Sequence, residues 1–384
     1  MSRIYADYNA TTRPDPEVCA LVAEVMQRGF GNPSSMHGDG QEARRAVERA
    51  RTEVAGLIGA EPDEIVFTSG GTEADNLAVL GAVGASKAGR RVLVTSAIEH
   101  HAILAPCEQW RAQGGCVKLV GVDAAGRLDL DVLDTALGPE VALVSIMLAN
   151  NDTGVIQPVA EAARMASGRG VLVHTDAVQA AGKMAIDVKP LGVSMLTLSS
   201  HKIHGPKGVG ALYLRRSLHL APRLFGGRQE RSLRPGTENV PGIVGFGKAC
   251  ALAQARLESD GRRVRGMRDR FEARLLARVP EARINGDRRE GARLPNTANV
   301  SFPGLDGEAM TINLDLLGIS VSTGAACSLA DHTPSHVLVA MGQSEVEARS
   351  SVRFSFGREN TDAEIDSAVT LVAQAVDLLR GARP

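Results

Sequence analysis

Lys202 lies at the end of an apolar run, where its amine could take part in covalent chemistry. The run Met195 to Leu198 is followed by two serines, His201 and Lys202, then by a glycine-rich turn and a second apolar run over 209–214. This order predicts a strand, a polar tip, a turn and another strand. Burial at such a tip lowers the pKa of a lysine and leaves a neutral amine for Schiff-base formation. The alternative is a solvated loop lysine, since most lysines are exposed.

Polar residues that could hold a ligand follow several other predicted strands in the same way. Apolar runs at 65–68, 91–95, 141–148, 171–174 and 195–198 alternate with helical patterns, which predicts an α/β fold with a mostly parallel sheet and helices on both faces. Ligands of such sheets bind beyond the carboxyl ends of the strands. Each polar residue alone could be a cap, a core side chain or a turn. Together they predict that one edge of the sheet, which we call the rim, could bind a phosphate and a polar ring and would carry a reactive amine. The rim residues are Gly71, Thr72, His100, Asn151, Asp176, Gln179, Ser199, His201 and Lys202.

The segment FTSGGTEAD, residues 67–75, supplies the phosphate part of this prediction. A short strand, two glycines and a helix start bring bare backbone N–H groups towards one point. Thr72, with Asp75 three residues later, resembles a capping box and predicts the helix start. The segment lacks the lysine of a P-loop and the GxGxxG spacing of a dinucleotide site, so neither fits. Alone, the motif leaves open both phosphate binding and an ordinary helix start.

The last third of the chain differs in character. Residues 226–240 form a polar, glycine-bearing loop, 256–278 predict a long exposed helix, and 362–379 predict a closing amphipathic helix. Short predicted strands lie between these helices. We therefore expect a large cofactor-binding domain over 14–255, and a smaller α+β domain over 1–13 and 256–384 that carries Cys327 and Arg353.

The composition argues against several functional classes. The formal net charge of -1 provides no field that favours nucleic acid or an anionic membrane, and 3% aromatic residues are too few for base stacking. No apolar run approaches the roughly 20 residues of a membrane span, and the first residues lack the apolar core of a signal peptide. We therefore expect a cytoplasmic protein without nucleic-acid or membrane partners. The five cysteines contain no CxxC pair, which indicates neither a disulfide framework nor a metal site.

Motifs spread over nearly the whole length carry a family likeness. The chain resembles the cysteine desulfurases of the NifS/IscS type, which depend on pyridoxal 5'-phosphate (PLP) and belong to the class V aminotransferase group of fold-type I enzymes. The motifs are DYNATT at 7–12, GNPSS at 31–35, FTSGGTEADN at 67–76, EHHAIL at 99–104, ANNDTGV at 149–155, HTDAVQAAGK at 174–183, SSHKIHGPKGVGALYLRR at 199–216, RPGTENV at 234–240, LPNTANVSF at 294–302, STGAACS at 322–328 and SVRFSFGR at 351–358.

The resemblance implies PLP as the cofactor, bound covalently by Lys202, in a homodimer. It implies a role for each rim residue: Gly71, Thr72, Ser199 and His201 hold the phosphate, Thr237 reaches the partner subunit's phosphate, Asp176 pairs with the ring nitrogen, Asn151 and Gln179 bind the phenolic oxygen, and His100 stacks on the ring and moves protons. For the substrate, it implies that Arg353 binds the α-carboxylate, with Asn32 assisting.

Cys327 decides between the reactions of this group. A desulfurase needs a thiolate to take sulfur from L-cysteine, which leaves alanine and a persulfide that passes to an acceptor such as an iron–sulfur scaffold protein. A selenocysteine lyase or aminotransferase of the same fold stays open, as does a protein whose main role is sulfur delivery within a larger assembly. The pathway and the base that activates Cys327 also stay open. The chain departs from the usual family pattern at Asp152, where glutamate is frequent, at Ala325 and over 328–333.

Overall fold

The computed structural model describes residues 3–87, 89–323 and 333–381. Its helices are α1 (Pro16–Arg28), α2 (Gly38–Leu57), α3 (Gly71–Gly84), α4 (His101–Ala112), α5 (Leu130–Ala136), α6 (Val159–Ser167), α7 (Val188–Leu191), α8 (Val240–Arg278), α9 (Gly307–Leu316), α10 (His336–Ala340), α11 (Glu345–Arg349) and α12 (Asp362–Gly381). Its strands are β1 (Ile4–Tyr5), β2 (Ile65–Thr68), β3 (Val92–Ser96), β4 (Cys116–Val120), β5 (Val141–Ser145), β6 (Leu172–Asp176), β7 (Met195–Ser199), β8 (Gly210–Leu214), β9 (Arg283–Asn285), β10 (Thr297–Ser301), β11 (Ile319–Ser320) and β12 (Ser351–Ser355).

The central sheet has seven strands in the order β2-β8-β7-β6-β5-β3-β4. The pairs from β7 through β6, β5 and β3 to β4 are parallel, whereas β8 pairs antiparallel with both β7 and β2. Because β2 and β7 both oppose β8, they run in the same direction. The carboxyl ends of β2, β3, β5, β6 and β7 therefore meet at one edge, and the prediction of a mostly parallel sheet is confirmed.

Helices cover both faces of this sheet, as the alternating pattern predicts. Ile65 and Phe67 point into a core shared with α1, α2, α6 and the first half of α8, while Val66 points into a core shared with α3 and α4. Successive side chains of a strand face opposite sides, so a strand that is buried throughout serves both cores. The two cores thus fix the position of the sheet edge that carries the polar residues.

A third core lies around the three-stranded antiparallel sheet β12-β10-β9. The second half of α8, together with α9 and α12, covers that sheet with apolar side chains, and Ile4 and Ala6 of the first strand region join it. The prediction of a mixed α/β chain with a smaller α+β part is thereby confirmed.

Helix α8 differs from its prediction in both length and exposure. It begins at Val240 and runs for 39 residues, and its second half buries Val264, Met267, Phe271 and Leu275 rather than lying exposed. Burial of each such side chain contributes roughly 1.5–3 kcal/mol, which is why one face of this arginine-rich helix packs inward. The proposed domain boundary between residues 255 and 256 falls within this continuous helix.

Across the described ranges, none of the helices combines the length and the apolarity that crossing a membrane would require.

Candidate active site

A cavity of about 240 Å³ opens at the carboxyl edge of the central sheet. Its lining includes nine of the residues predicted for the rim: Gly71, Thr72, His100, Asn151, Asp176, Gln179, Ser199, His201 and Lys202. They come from five strand ends, since each follows β2, β3, β5, β6 or β7 in the chain. The fold thus brings together, as predicted from the strand ends, residues up to 131 positions apart in sequence, from Gly71 to Lys202.

Lys202 closes a single turn of 3-10 helix that directly follows β7. Its Nζ donates to the backbone oxygens of Asn9 at 2.5 Å and Ala10 at 2.8 Å. The neighbouring His201 Nδ1 lies 3.1 Å from Thr11 Oγ1, and Thr12 N donates to His201 O at 3.0 Å. Residues 9–12, which we call the N-terminal segment, thus hold the lysine turn from the side opposite the strand.

Asn9 connects the carboxyl edge of the central sheet with the three-stranded sheet, and sequence reasoning assigned it no role. Its Nδ2 donates to Asn151 O at 3.0 Å and to Thr297 Oγ1 at 2.9 Å, while its Oδ1 accepts from Asn296 Nδ2 at 2.8 Å. Its side chain is buried, so every polar atom needs a partner. The only sequence signal was its place in the motif DYNATT, and its partners lie at least 142 residues away.

The amino end of α3 points at the cavity without a side-chain cap. The N-cap is Gly70, and the helix begins at Gly71, so the prediction that Thr72 and Asp75 form a capping box is wrong. Glu73 accepts from Ser69 N at 2.8 Å instead. A Cβ added at Gly71 would lie 3.0 Å from Val178 Cγ2, so only glycine fits without a shift. The exposed N–H groups and the helix dipole together favour an anion here.

Asp176 ends β6 and supplies the carboxylate of the cavity. Its Oδ1 accepts from Val178 N at 2.8 Å. Burial raises the pKa of Asp176 to about 6, against the opposing effects of that hydrogen bond and of Lys202. The pKa of buried Asp75 is raised well above its usual range by burial and by Asp176. With a pKa of about 6, Asp176 is ionised at neutral pH.

His100 caps α4, and this fixes one of its ring nitrogens. Its Nδ1 accepts from Ala102 N at 3.1 Å, so the proton of the neutral ring resides on Nε2. Burial, followed by the charge of Lys202, lowers the pKa of His100 to about 4. The ring is therefore neutral at pH 7.

Arg353 lies on β12, next to the cavity but not in its lining. Its Nη2 forms an ion pair with Asp7 Oδ1 at 2.9 Å, and its Nη1 donates to Asn151 O at 3.2 Å. The guanidinium is buried, and its Nε finds no partner within the described part of the chain. A buried donor without a partner among the described residues could serve an anionic ligand.

Besides Arg353, three predicted residues are not placed in this cavity. Asn32 and Thr237 are exposed and absent from its lining, and Cys327 lies outside the described residues. Within residues 3–87, 89–323 and 333–381, no group of three or more histidine, cysteine or acidic side chains could hold a metal ion.

Comparison with known proteins places the chain in a family. Residues 4–368 match the family described as aminotransferase class-V. A cysteine desulfurase of Gluconacetobacter diazotrophicus is 47% identical over all of this chain and 96% of its own length. A solved NifS-like protein shares 36% identity with a TM-score of 0.92, covering 98% of this chain and all of its own. A structure of SspA in complex with cysteine shares 33% identity with a TM-score of 0.81, covering 93% of this chain and all of its own. The chain belongs to the class-V aminotransferase family, among its cysteine desulfurases.

Proposed function

We propose that this chain binds PLP covalently through Lys202, converts L-cysteine to L-alanine, and receives the sulfur on Cys327. The observation that carries the proposal is that the Lys202 amine, the Asp176 carboxylate and the amino end of α3 face one cavity. An amine, an acid for a ring nitrogen and an anion site are the three groups this cofactor needs.

The donor set fits the cofactor part by part. The N–H groups at Gly71 and Thr72, with Ser199 and His201 across the cavity, offer donors for a phosphate. Asp176, which is ionised above a pKa of about 6, would keep the ring nitrogen protonated. The neutral ring of His100 offers a flat face for stacking. PLP supplies a carbonyl that condenses with amines and a ring that accepts electrons from the substrate carbon.

The side chains around the cavity would orient the substrate. Arg353, fixed by Asp7 and by Asn151 O, would bind the α-carboxylate of L-cysteine through its remaining N–H groups. The lysine amine, held by the N-terminal segment, would move protons at the substrate carbon after it is released from its covalent bond. Arg353 lies on a strand that is buried throughout, and the Lys202 amine is held by the backbone oxygens of Asn9 and Ala10, which limits the freedom of both groups.

Sulfur transfer requires a nucleophile, and Cys327 is proposed for it. Its thiolate attacks the substrate Sγ, an S–S bond forms, and the Cβ–Sγ bond breaks with its electron pair passing to Cβ. Protonation of Cβ yields alanine, and the enzyme keeps a persulfide. The sulfur then passes to an acceptor, for which an iron–sulfur scaffold protein is the proposed class.

The chemistry is tested with two variants and matched controls. Cys327→Ala should keep the visible absorbance of bound PLP and lose sulfide release from L-cysteine, whereas Cys116→Ala, at an exposed cysteine on β4, should keep both. Lys202→Ala should lose the absorbance of covalently bound PLP, and Lys207→Ala, at an exposed lysine of the following turn, should retain it. Full sulfide release by Cys327→Ala would overturn the proposal. Turnover of selenocysteine or of a keto acid above that of L-cysteine would favour the related activities.

We also propose that the enzyme is a homodimer in which Thr237 completes the partner's site. The exposure of Thr237, outside its own cavity, fits a role across an interface. Apolar side chains near it and near Asn32 support this, since Phe30, Met36 and Phe225 are 77%, 91% and 87% exposed.

Mixed dimers test the crossed arrangement. A dimer of one Lys202→Ala subunit and one Thr237→Ala subunit would contain one unmodified site if Thr237 acts across the interface. The mixture should then recover activity above that of either variant alone. If Thr237 acts within its own subunit, the mixture would show no recovery.

A further inference from the structure

A second lysine, Lys183, lies beside the cavity and has no role in the chemistry proposed above. Its Nζ donates to the backbone oxygen of Gln179 at 2.9 Å and to Oε1 of the same residue at 3.1 Å. Gln179 in turn donates from Nε2 to Asn9 O at 2.9 Å. Both ends of the Gln179 carboxamide are therefore engaged by groups outside the cavity.

The two partners determine which way the carboxamide faces. An ammonium group only donates hydrogen bonds, and a backbone carbonyl only accepts them. If the amide were turned over, its NH₂ would face Lys183 and its oxygen would face Asn9 O, and both contacts would become repulsive. The orientation thus follows from the chemistry of both neighbours rather than from a choice between similar atoms.

The consequence for the cavity concerns the second N–H of Gln179. The buried side chain lines the cavity, and Nε2 carries two N–H bonds, one of which is used by Asn9 O. We infer that Lys183 is a positioning residue that locks the Gln179 carboxamide so that an N–H, and not the oxygen, meets an anionic oxygen of the bound cofactor. The inference rests on the proposed function, because it deepens how that site receives PLP.

The electrostatic surroundings of Lys183 are consistent with this role. Burial, followed by the charges of Lys202 and Arg353, lowers the pKa of Lys183 to about 7. Near neutral pH the Lys183 amine can therefore be charged or neutral. The contact with Gln179 Oε1 favours the charged ammonium, which only donates hydrogen bonds.

The first test uses the holoenzyme and the pH-dependent absorbance of its bound cofactor. Lys183→Met removes the donor and should move the absorbance midpoint upwards by about one pH unit, which is the effect of losing one hydrogen bond to a charged oxygen. The direction follows because a donor withdraws electron density from the cofactor, and its loss makes the cofactor imine more basic. Lys183→Arg keeps a donor-only cation and should remain near the wild-type midpoint. Lys189→Met, at an exposed lysine of α7, is the matched control.

One double variant distinguishes this positioning of Gln179 from a direct effect of the Lys183 charge. In a Gln179→Leu background, Lys183→Met should cause no further shift of the midpoint. An equal shift in both backgrounds, or an unchanged midpoint in Lys183→Met, would overturn the inference.

Unfolding of the ligand-free protein provides a readout that does not depend on the cofactor. Across the cycle of Lys183→Met, Gln179→Leu and the double variant, the unfolding constants should deviate from additivity by about fivefold. Additive constants would overturn the lock. If the unfolding constants of the cycle are not additive but the protein shows no cofactor absorbance, the proposed function is contradicted, whereas the interaction between Lys183 and Gln179 is supported.

Discussion

Glu99 is a fully buried carboxylic acid beneath the active-site rim, and replacing it with glutamine should stabilise the protein above neutral pH. Its Oε1 accepts from Ser96 Oγ at 2.5 Å and from Met147 N at 2.9 Å. Burial raises the pKa of Glu99 from 4.5 to about 8, with a smaller increase from Asp176 and opposing effects of the two hydrogen bonds. The folded protein therefore keeps this proton at pH 7, where the unfolded chain has lost it.

The sign and size of the effect follow from this pKa difference. Between pH 4.5 and about pH 8 the folded state binds the extra proton, so the free energy of unfolding falls as pH rises through that window. At 1.36 kcal/mol for each pH unit, the loss is about 3 kcal/mol at pH 7 and about 5 kcal/mol above pH 8. Glutamine retains Oε1 as the acceptor for both donors and does not ionise. Its amide takes the place of Oε2, which has no partner within the described residues.

The assay compares urea unfolding of wild type and Glu99→Gln by circular dichroism at pH 5, 7 and 8.5. The stability difference should be small at pH 5 and should grow with pH in favour of the variant. Glu108→Gln, at an exposed glutamate of α4, serves as the control and should not reproduce this pH-dependent gain. A difference that does not change with pH, or a variant that is less stable at pH 8.5, would show that Glu99 is ionised in the folded protein.

Two further substitutions test packing around the site. Gly71→Ala should weaken PLP binding about tenfold, a loss of 1.4 kcal/mol, because its Cβ would force Val178 or the start of α3 to shift; Gly266→Ala, where a Cβ meets no neighbour, should bind normally in the same fluorescence titration. Asp152→Glu introduces the family's more frequent residue into a fully buried position that accepts a 2.6 Å hydrogen bond from Ser335 Oγ. The extra methylene should cost about 1–3 kcal/mol, seen as a lower thermal midpoint, and an equal or higher midpoint would show that the pocket has room.

The mostly parallel sheet and the rim residues could be predicted because both depend on local pattern and on one general rule. Alternating strands and helices predict a mostly parallel sheet, and the carboxyl ends of parallel strands meet at one edge. This was enough to bring Gly71, Asp176 and Lys202 to one cavity. The same rule does not reach Asn32 or Thr237, because their exposed positions follow helices or loops and lie away from the strand ends.

The contacts of the N-terminal segment could not be predicted, because they are long-range and use backbone atoms. The carbonyls of Asn9 and Ala10 accept from a lysine more than 190 residues away, and any residue type offers the same carbonyl. The residue at which α8 begins, Val240, was not predicted, for a different reason. The first turns of the helix are apolar on several sides and rich in glycine, so they give no clear signal of a helix start. The structure explains the glycines, since a Cβ at Gly247 would lie 2.7 Å from Ala50 Cα of α2.

The buried carboxyl groups near the cavity differ in their ionisation. Asp75 does not cap α3 but lies buried, with its Oδ1 3.6 Å from His174 Nε2. Burial lowers the pKa of His174 to about 3, so the imidazole is neutral and cannot pair with an ionised Asp75. Burial raises the pKa of Asp75 well above its usual range and that of Glu99 to about 8, so Glu99 is protonated at pH 7 and ionisation of Asp75 is disfavoured. With a pKa of about 6, Asp176 is ionised at pH 7, and it lines the cavity where a cationic ring nitrogen would need a negative charge.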